Sequence, residues 1–181
     1  MSYHPLKFQK LNEGATYHRS EHSTLNHVKL SDPAIKVMTD LQYVEAITVS
    51  PSVKIDDALK TMIEKGVRML FVIDEKHQII GLVTTNDISG ERPLQMSGSS
   101  KILRNEIVVK DLMVPVEKID VVPLKDINKA KVGDVLETLK SVNRRHILVA
   151  DHQGFYKEMT IRGIFSMTKI EKQLGLLKAS V

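Results

Sequence analysis

Two stretches of this chain repeat one another in register, and a chain built from two copies of one unit has few ways to fold. IDDALKTMIEKGVRMLFVID (55–74) superposes on VGDVLETLKSVNRRHILVAD (132–151) at a constant shift of 77 positions. Asp57 falls on Asp134, Leu59 on Leu136, Met62 on Leu139, Arg68 on Arg145, Val72 on Val149 and Asp74 on Asp151. Each copy opens with apolar residues at helical spacing: Ile55, Ala58, Leu59, Met62 and Ile63 in the first, Val132, Val135, Leu136 and Leu139 in the second. Gly66 ends the first helix and Asn143 takes its place in the second, both residue types that tolerate the left-handed conformation of a helix C-terminus. A short apolar strand follows in each copy, MLFVI (69–73) and HILVA (146–150), then a turn and a second strand.

The second strands carry the most polar repeated motif, IIGLVTTNDI (79–88) against IRGIFSMTKI (161–170). The shift here is 82, so the second copy holds a hairpin five residues longer, around Gln153–Thr160. Ahead of each helix lie a Met-containing lead-in and a short β-rich stretch: VMTD…AITVSP (37–51) and LMVP…IDVVP (112–123). Each unit reads β-α-β-β-α with a short closing helix. At roughly 60–70 residues, one copy is too small to bury a good core alone. The expectation is an α/β (α+β) fold in which the two copies pack sheet to sheet about a pseudo-twofold axis. The boundaries read as an N-terminal arm over 1–30, a first repeat over 31–95, a linker over 96–108, a second repeat over 109–176 and a tail over 177–181.

Within GLVTTNDI (81–88), two hydroxyls, an amide and a carboxylate follow a β-branched run. Turn and cap chemistry explains Thr84, Asn86 and Asp87 without any ligand, because their side chains bond nearby backbone N–H groups. A ligand explains them too: hydroxyls suit a phosphate, and a carboxylate suits a sugar diol. The octet by itself favours the cap; the second copy brings the ligand back into play. There, Thr84 aligns with Ser166 and Asp87 with Lys169.

The arm carries four of the seven histidines, His4, His18, His22 and His27, with no sustained apolar period. His18 and His22 share one face if helical, but no third ligand or supporting carboxylate is placed, so no metal site is expected. With no cysteine in the chain, disulfides, thiolate metal sites and cysteine nucleophiles are excluded. No apolar run approaches the roughly 20 residues of a membrane span, and a cytoplasmic protein is the expectation. The net charge of +4 is a modest basic excess that suits nucleotides and does not require nucleic acid. No nucleophile elbow, Walker loop or G-x-G-x-x-G is present, and Asp56–Asp57 sit where they favour a helix start. Catalysis is therefore not expected.

From about residue 34 to 174 the ordered series resembles tandem cystathionine-β-synthase (CBS) domains, the Bateman module. Its carriers are VMTD, LMVP, TVSPSVKIDDALKTM, VRMLFVIDEKHQIIGLVTTNDI and RRHILVADHQGFYKEMTIRGIFSMTKI. The resemblance implies a regulatory sensor of adenosine ligands, namely AMP, ADP, ATP or S-adenosylmethionine. These bind in clefts that combine one copy's strand-and-loop body with the other copy's lead-in. Carried onto this chain, the first cleft takes Thr84 and Asp87 for the ribose region and Arg68 toward phosphate, with Val67, Val114, Pro115 and Ile119 around the base. A possible second cleft takes Thr39, Ile47, Arg144, Arg145, His146, Ser166 and Lys169, whether for a different anion, for the phosphates of a ligand held elsewhere, or left vacant. There a lysine replaces the ribose carboxylate, and an ammonium cannot accept from a diol. The resemblance also implies a homodimer and a separate effector protein, with no resident cofactor. The alternative is a ligand-free dimerisation or protein-interaction module with a basic N-terminal arm.

Overall fold

The computed structural model describes residues 27–100, 103–153 and 158–176. His4, His18 and His22 lie outside the described residues. Two four-stranded sheets face each other, and helices cover their outer faces.

In the first repeat, β2 (Thr48–Val49) leads to α1 (Ile55–Lys65), β3 (Met69–Ile73), β4 (Ile79–Thr84) and the short α2 (Thr85–Ser89). The second runs β6 (Val121–Pro123), α5 (Leu124–Ile127), α6 (Val132–Ser141), β7 (His146–Gln153), β8 (Glu158–Ser166) and α7 (Met167–Gln173). The lead-ins form β1 (Thr39–Asp40) and β5 (Val114–Pro115), the latter preceded by α4 (Val109–Leu112). Helix α3 (Arg92–Ser100) stands where the chain was expected to leave the first repeat for a linker.

Strand order shows how the copies are joined: β1-β8-β7-β6 in one sheet and β2-β3-β4-β5 in the other. Each lead-in strand thus belongs to the sheet of the opposite repeat. Thr39 pairs with Ile164 and Asp40 with Gly163, while Pro115 pairs with Gly81 and Val114 with Leu82. The exchange reaches the cores. Val28, Ala34, Val37 and Met38 pack with Val135, Leu139 and Phe165 of the second repeat. Ile107, Val109 and Leu112 pack with Ile55, Met62, Leu70 and Val83 of the first. Ile107, read as linker, is fully buried.

Strand periodicity sorts the remaining contacts. In β3, Leu70 and Val72 face the helices, whereas Met69 and Phe71 face the other sheet and meet Leu148 of β7. Both faces are covered, which is why MLFVI is an unbroken apolar run rather than an alternation. Helix α1 buries Ile55, Ala58 and Met62, at i, i+3 and i+7. Ile63, counted above with the apolar face, is 72% exposed. It lies about 100° round the helix from Met62, off the buried stripe.

The helix ends follow the expectation. Gly66 adopts φ 64° and donates its N–H to Ile63 and Met62 carbonyls. Asn143 sits at φ 48° in the matching place.

Candidate functional site

The seam between the sheets opens into a cavity of about 280 Å³. Four sources build its wall. β4 and the start of α2 give Leu82, Thr84, Thr85, Asn86 and Asp87; the starts of the middle strands give Arg68 and Met69 on one side and Arg145 and His146 on the other. The second lead-in gives Val114, Lys118, Ile119 and Asp120, and the second repeat adds Asn143, Arg144, Leu148 and Thr168.

Thr84 and Asp87 form a reciprocal cap on α2. The Thr84 backbone N–H donates to Asp87 Oδ2 at 2.8 Å, the Thr84 hydroxyl donates to the same oxygen at 2.6 Å, and the Asp87 N–H donates to Thr84 Oγ1 at 3.4 Å. The local explanation of this pair is therefore realised. It does not exhaust the carboxylate, whose Oδ1 has, among the described residues, only Arg92 Nη1 at 3.8 Å. One oxygen holds the helix start while the other keeps lone pairs for a hydroxyl.

Cationic side chains line the same cavity. Arg68 Nη1 and Arg145 Nη2 each donate to Thr168 Oγ1 at 3.1 Å. Arg144 instead pairs with Asp120, Nη2 to Oδ2 at 2.7 Å. Beside them, His146 has its pKa pushed down to about 4 by burial, with Arg145 and Arg68 adding to the fall and Asp87 opposing it. Its ring is neutral near pH 7. Leu82, Val114, Ile119 and Leu148 add apolar surface to the same cavity.

Of the residues assigned to the first cleft, Arg68, Thr84, Asp87, Val114 and Ile119 line this cavity together. Val67 packs on the core of the first repeat, and Pro115 is paired to Gly81 in the sheet; neither is in the cavity wall. The larger difference concerns Arg144, Arg145 and His146, assigned to the second cleft. They line the first cavity, because the starts of β3 and β7 converge at the seam. Thr168, Lys118 and Asp120 were missed altogether. Only Thr168 carried a signal: it matches Asn86 at the 82-residue shift.

Lys169 and Thr39, assigned to the possible second cleft, bond each other. Lys169 Nζ donates to Thr39 Oγ1 at 2.9 Å and to the Met38 carbonyl at 3.4 Å, and burial lowers its pKa. The ammonium joins α7 to β1 directly. Nearby, Arg162 makes a two-pronged pair with Asp40, at 2.7 and 2.9 Å. Ser166 stands at the N-cap of α7 without a capping hydrogen bond from its side chain, and Ile47 packs on the first repeat's core. Among the described residues no cluster of metal-ligating side chains is found, and no helix is long and apolar enough to cross a membrane.

Comparison with known proteins agrees with this architecture. The CBS domain family model matches residues 34–92. An uncharacterized protein of Methanopyrus kandleri is 32% identical over 62 residues, 34% of this chain and 32% of the relative. A homoserine O-acetyltransferase of Methanosalsum zhilinae is 26% identical over 105 residues, 53% of this chain and 21% of the enzyme. The chain thus spans a third or less of the length of these relatives. Among solved structures, CBSX2, a CBS-pair protein of Arabidopsis thaliana, was determined in complex with AMP. That complex is 26% identical, with a TM-score of 0.50 and coverage of 78% of this chain and 94% of that one. The CBS domain pair of protein MJ0100, bound to 5′-methylthioadenosine and S-adenosylmethionine, gives a TM-score of 0.53 at 17% identity, covering 83% and 100%. A CBS domain family model thus matches residues 34–92, a second copy of the same unit folds against it through exchanged lead-ins, and the fold of the pair is that of solved CBS-domain pairs.

Proposed function

We propose that this protein is a sensor of an adenosine ligand, a binding module with regulatory output and not an enzyme. One observation carries the reading: a single cavity gathers the Asp87 carboxylate, the cations Arg68, Arg145 and Lys118, and the apolar side chains Leu82, Val114, Ile119 and Leu148. A nucleotide offers a partner to each, with a diol, an anionic phosphate and an aromatic base. The AMP-bound relative supports the same class. Arg68, Arg145 and Lys118 favour AMP, ADP or ATP over S-adenosylmethionine, whose sulfonium is itself cationic. The Thr84 hydroxyl is occupied by its cap. His146 is a neutral ring against Arg145, positioned as wall and not as a base beside a nucleophile.

A ligand touching both repeats and the exchanged lead-in favours whichever arrangement closes around it, and that population shift is the signal. A homodimer and an effector protein are the expected readers of it. The alternative, a ligand-free interaction module, gains one point from Lys169, and that point concerns the second cleft alone.

Calorimetric titration of AMP, ADP, ATP and S-adenosylmethionine tests the reading. The comparison is wild type with Asp87→Asn, which keeps an oxygen for the Thr84 N–H but loses the charge. At about a hundred times its dissociation constant, the true ligand stabilises the wild type by roughly 2.7 kcal/mol. Asp87→Asn should bind at least tenfold more weakly. Failure of all four to bind the wild type would end the sensor reading.

A further inference from the structure

We propose that Arg92 is a positioning residue of the seam cavity: it ties the uncapped oxygen of Asp87 to the second lead-in, so that taking up a ligand hydroxyl and seating the lead-in become one step. The inference rests on the ligand reading above and deepens it, because it names what selects the hydroxyl and which segment feels its arrival.

Arg92 opens helix α3, five positions after Asp87. A cation at the first position of a helix works against the helix dipole, so local preference does not account for it. Its contacts do. Nη1 donates to the Leu112 carbonyl at 2.9 Å and lies 3.8 Å from Asp87 Oδ1. Leu112 is the last residue of α4, where a carbonyl has no partner within the helix. Its side chain is fully buried, and Val114, two residues on, lines the cavity. The carbonyl that Arg92 holds therefore sets where that part of the cavity wall stands.

At 3.8 Å the second contact is an attraction without a hydrogen bond, so the guanidinium draws Oδ1 without using up its lone pairs. Oδ2 is held by the Thr84 cap. Fixed at one oxygen and drawn at the other, the carboxylate has one preferred rotation, with Oδ1 left to accept from a hydroxyl. One nitrogen serves both the acceptor and the wall, and a shift of either is felt by the other.

The second repeat makes the same joint in another way. By the 82-residue shift, Lys169 stands at the position of Asp87 and Leu174 at that of Arg92. Lys169 Nζ reaches the Met38 carbonyl of the first lead-in at 3.4 Å, and Leu174 packs on the apolar core. Each repeat thus fastens the opposite lead-in through a cation on a backbone carbonyl. In the second repeat that cation occupies the carboxylate's place. In the first it stands one helix further on, which leaves position 87 to an acceptor. Arg92 is what lets a lead-in clamp and a hydroxyl acceptor share one seam.

Calorimetric titration of AMP and 2′-deoxy-AMP into the intact chain, at one fixed ionic strength, tests the role. Amide hydrogen exchange at Met113, whose N–H bonds the Val109 carbonyl, is the second readout. Wild type is compared with Arg92→Met, Arg92→Lys and Arg104→Met. Arg104 is the matched control: it too bridges a carboxylate and a carbonyl, those of Asp56 and Ile88, but it lies outside the cavity wall. Wild type should prefer AMP over 2′-deoxy-AMP by about tenfold or more, the lower end for a hydrogen bond to a charged group. AMP should also slow exchange at Met113, as coupling between hydroxyl and lead-in requires. Arg92→Met should shrink the preference to about threefold or less and abolish the slowing, because the two are linked through one side chain. Arg92→Lys should keep part of both, since it retains the charge and loses the fork. Arg104→Met should leave both as in wild type.

Equal losses of AMP and 2′-deoxy-AMP affinity in Arg92→Met would show a general effect of charge, and would overturn the role while leaving the adenosine reading intact. An Arg104→Met variant that loses the preference as fully as Arg92→Met does the same. Binding of neither nucleotide to wild type overturns the adenosine reading and the role with it.

Discussion

Replacing Gly81 with alanine should push the second lead-in off its sheet. A Cβ built at Gly81 would sit 2.7 Å from the Val114 carbonyl oxygen and 2.9 Å from Met113 Sδ. The carbonyl is backbone, held by the pairing of Val114 and Pro115 with Leu82 and Gly81. It cannot yield unless the two-residue strand β5 moves. Overpacking of this kind costs about 1–3 kcal/mol, and one lost strand hydrogen bond adds about 1 kcal/mol. The expected destabilisation is about 2–4 kcal/mol, or roughly 4–16 °C in Tm for a chain of this size. The second repeat supplies the control. At Gly163 the crowding atoms are the Met38 side chain, with Sδ, Cγ and Cε all nearer than 3 Å. Two double-mutant cycles by urea unfolding decide the matter. Gly163→Ala with Met38→Ala should show strong coupling, because shortening the methionine removes the clash. Gly81→Ala with Met113→Ala should show much weaker coupling, because the carbonyl stays. Equal rescue in both cycles would refute the claim that backbone, and not side chain, holds β5 against Gly81.

Two further outcomes follow from single side chains. His146 has a folded-state pKa of about 4 against an ordinary 6.5, so between those values the unfolded chain binds a proton that the folded chain does not. Its contribution is intact above pH 6.5 and falls as pH drops toward 4, by roughly 3 kcal/mol at most. His146→Gln should flatten that part of a stability–pH curve measured by urea unfolding. Lys169→Met should cost about 1 kcal/mol by removing the bond to Thr39. Its amide signature is faster hydrogen exchange at Leu41, whose N–H bonds the Arg162 carbonyl, with the fold retained by the Asp40–Arg162 pair.

Much of the fold was legible because two copies report the same elements independently. The helix stripes, the Gly66 and Asn143 turns and the doubly buried strand MLFVI all followed from residue spacing. Ile63 was misplaced because apolar character alone does not say where a stripe ends; its angle from Met62 does. The site was legible in parts. Thr84 and Asp87 were identifiable, but as cap and candidate ligand group at once; the structure shows the cap at Oδ2 and Arg92 3.8 Å from Oδ1. The Arg144–His146 cluster, expected at the possible second cleft, lines the seam cavity. Strand periodicity tells which face a residue occupies, whereas the cleft it opens on depends on how two sheets meet. Thr168 was overlooked because a threonine in a helix has a ready local explanation, and its importance comes from arginines 23 and 100 positions away. The motif glycines were quoted without a reason; the close passage of the opposite lead-in provides one.

The lead-in exchange makes each half of this chain the other's missing border. Strand β5 covers the rim of the sheet that holds β4, and β1 covers the rim beside β8. A half cut free would show bare strand rims, the kind of surface on which unrelated chains stack. It would also carry an orphaned strand with nowhere to lie. The indivisible unit of folding is therefore the stitched pair, with Met38 and Met113 as its two crossing threads.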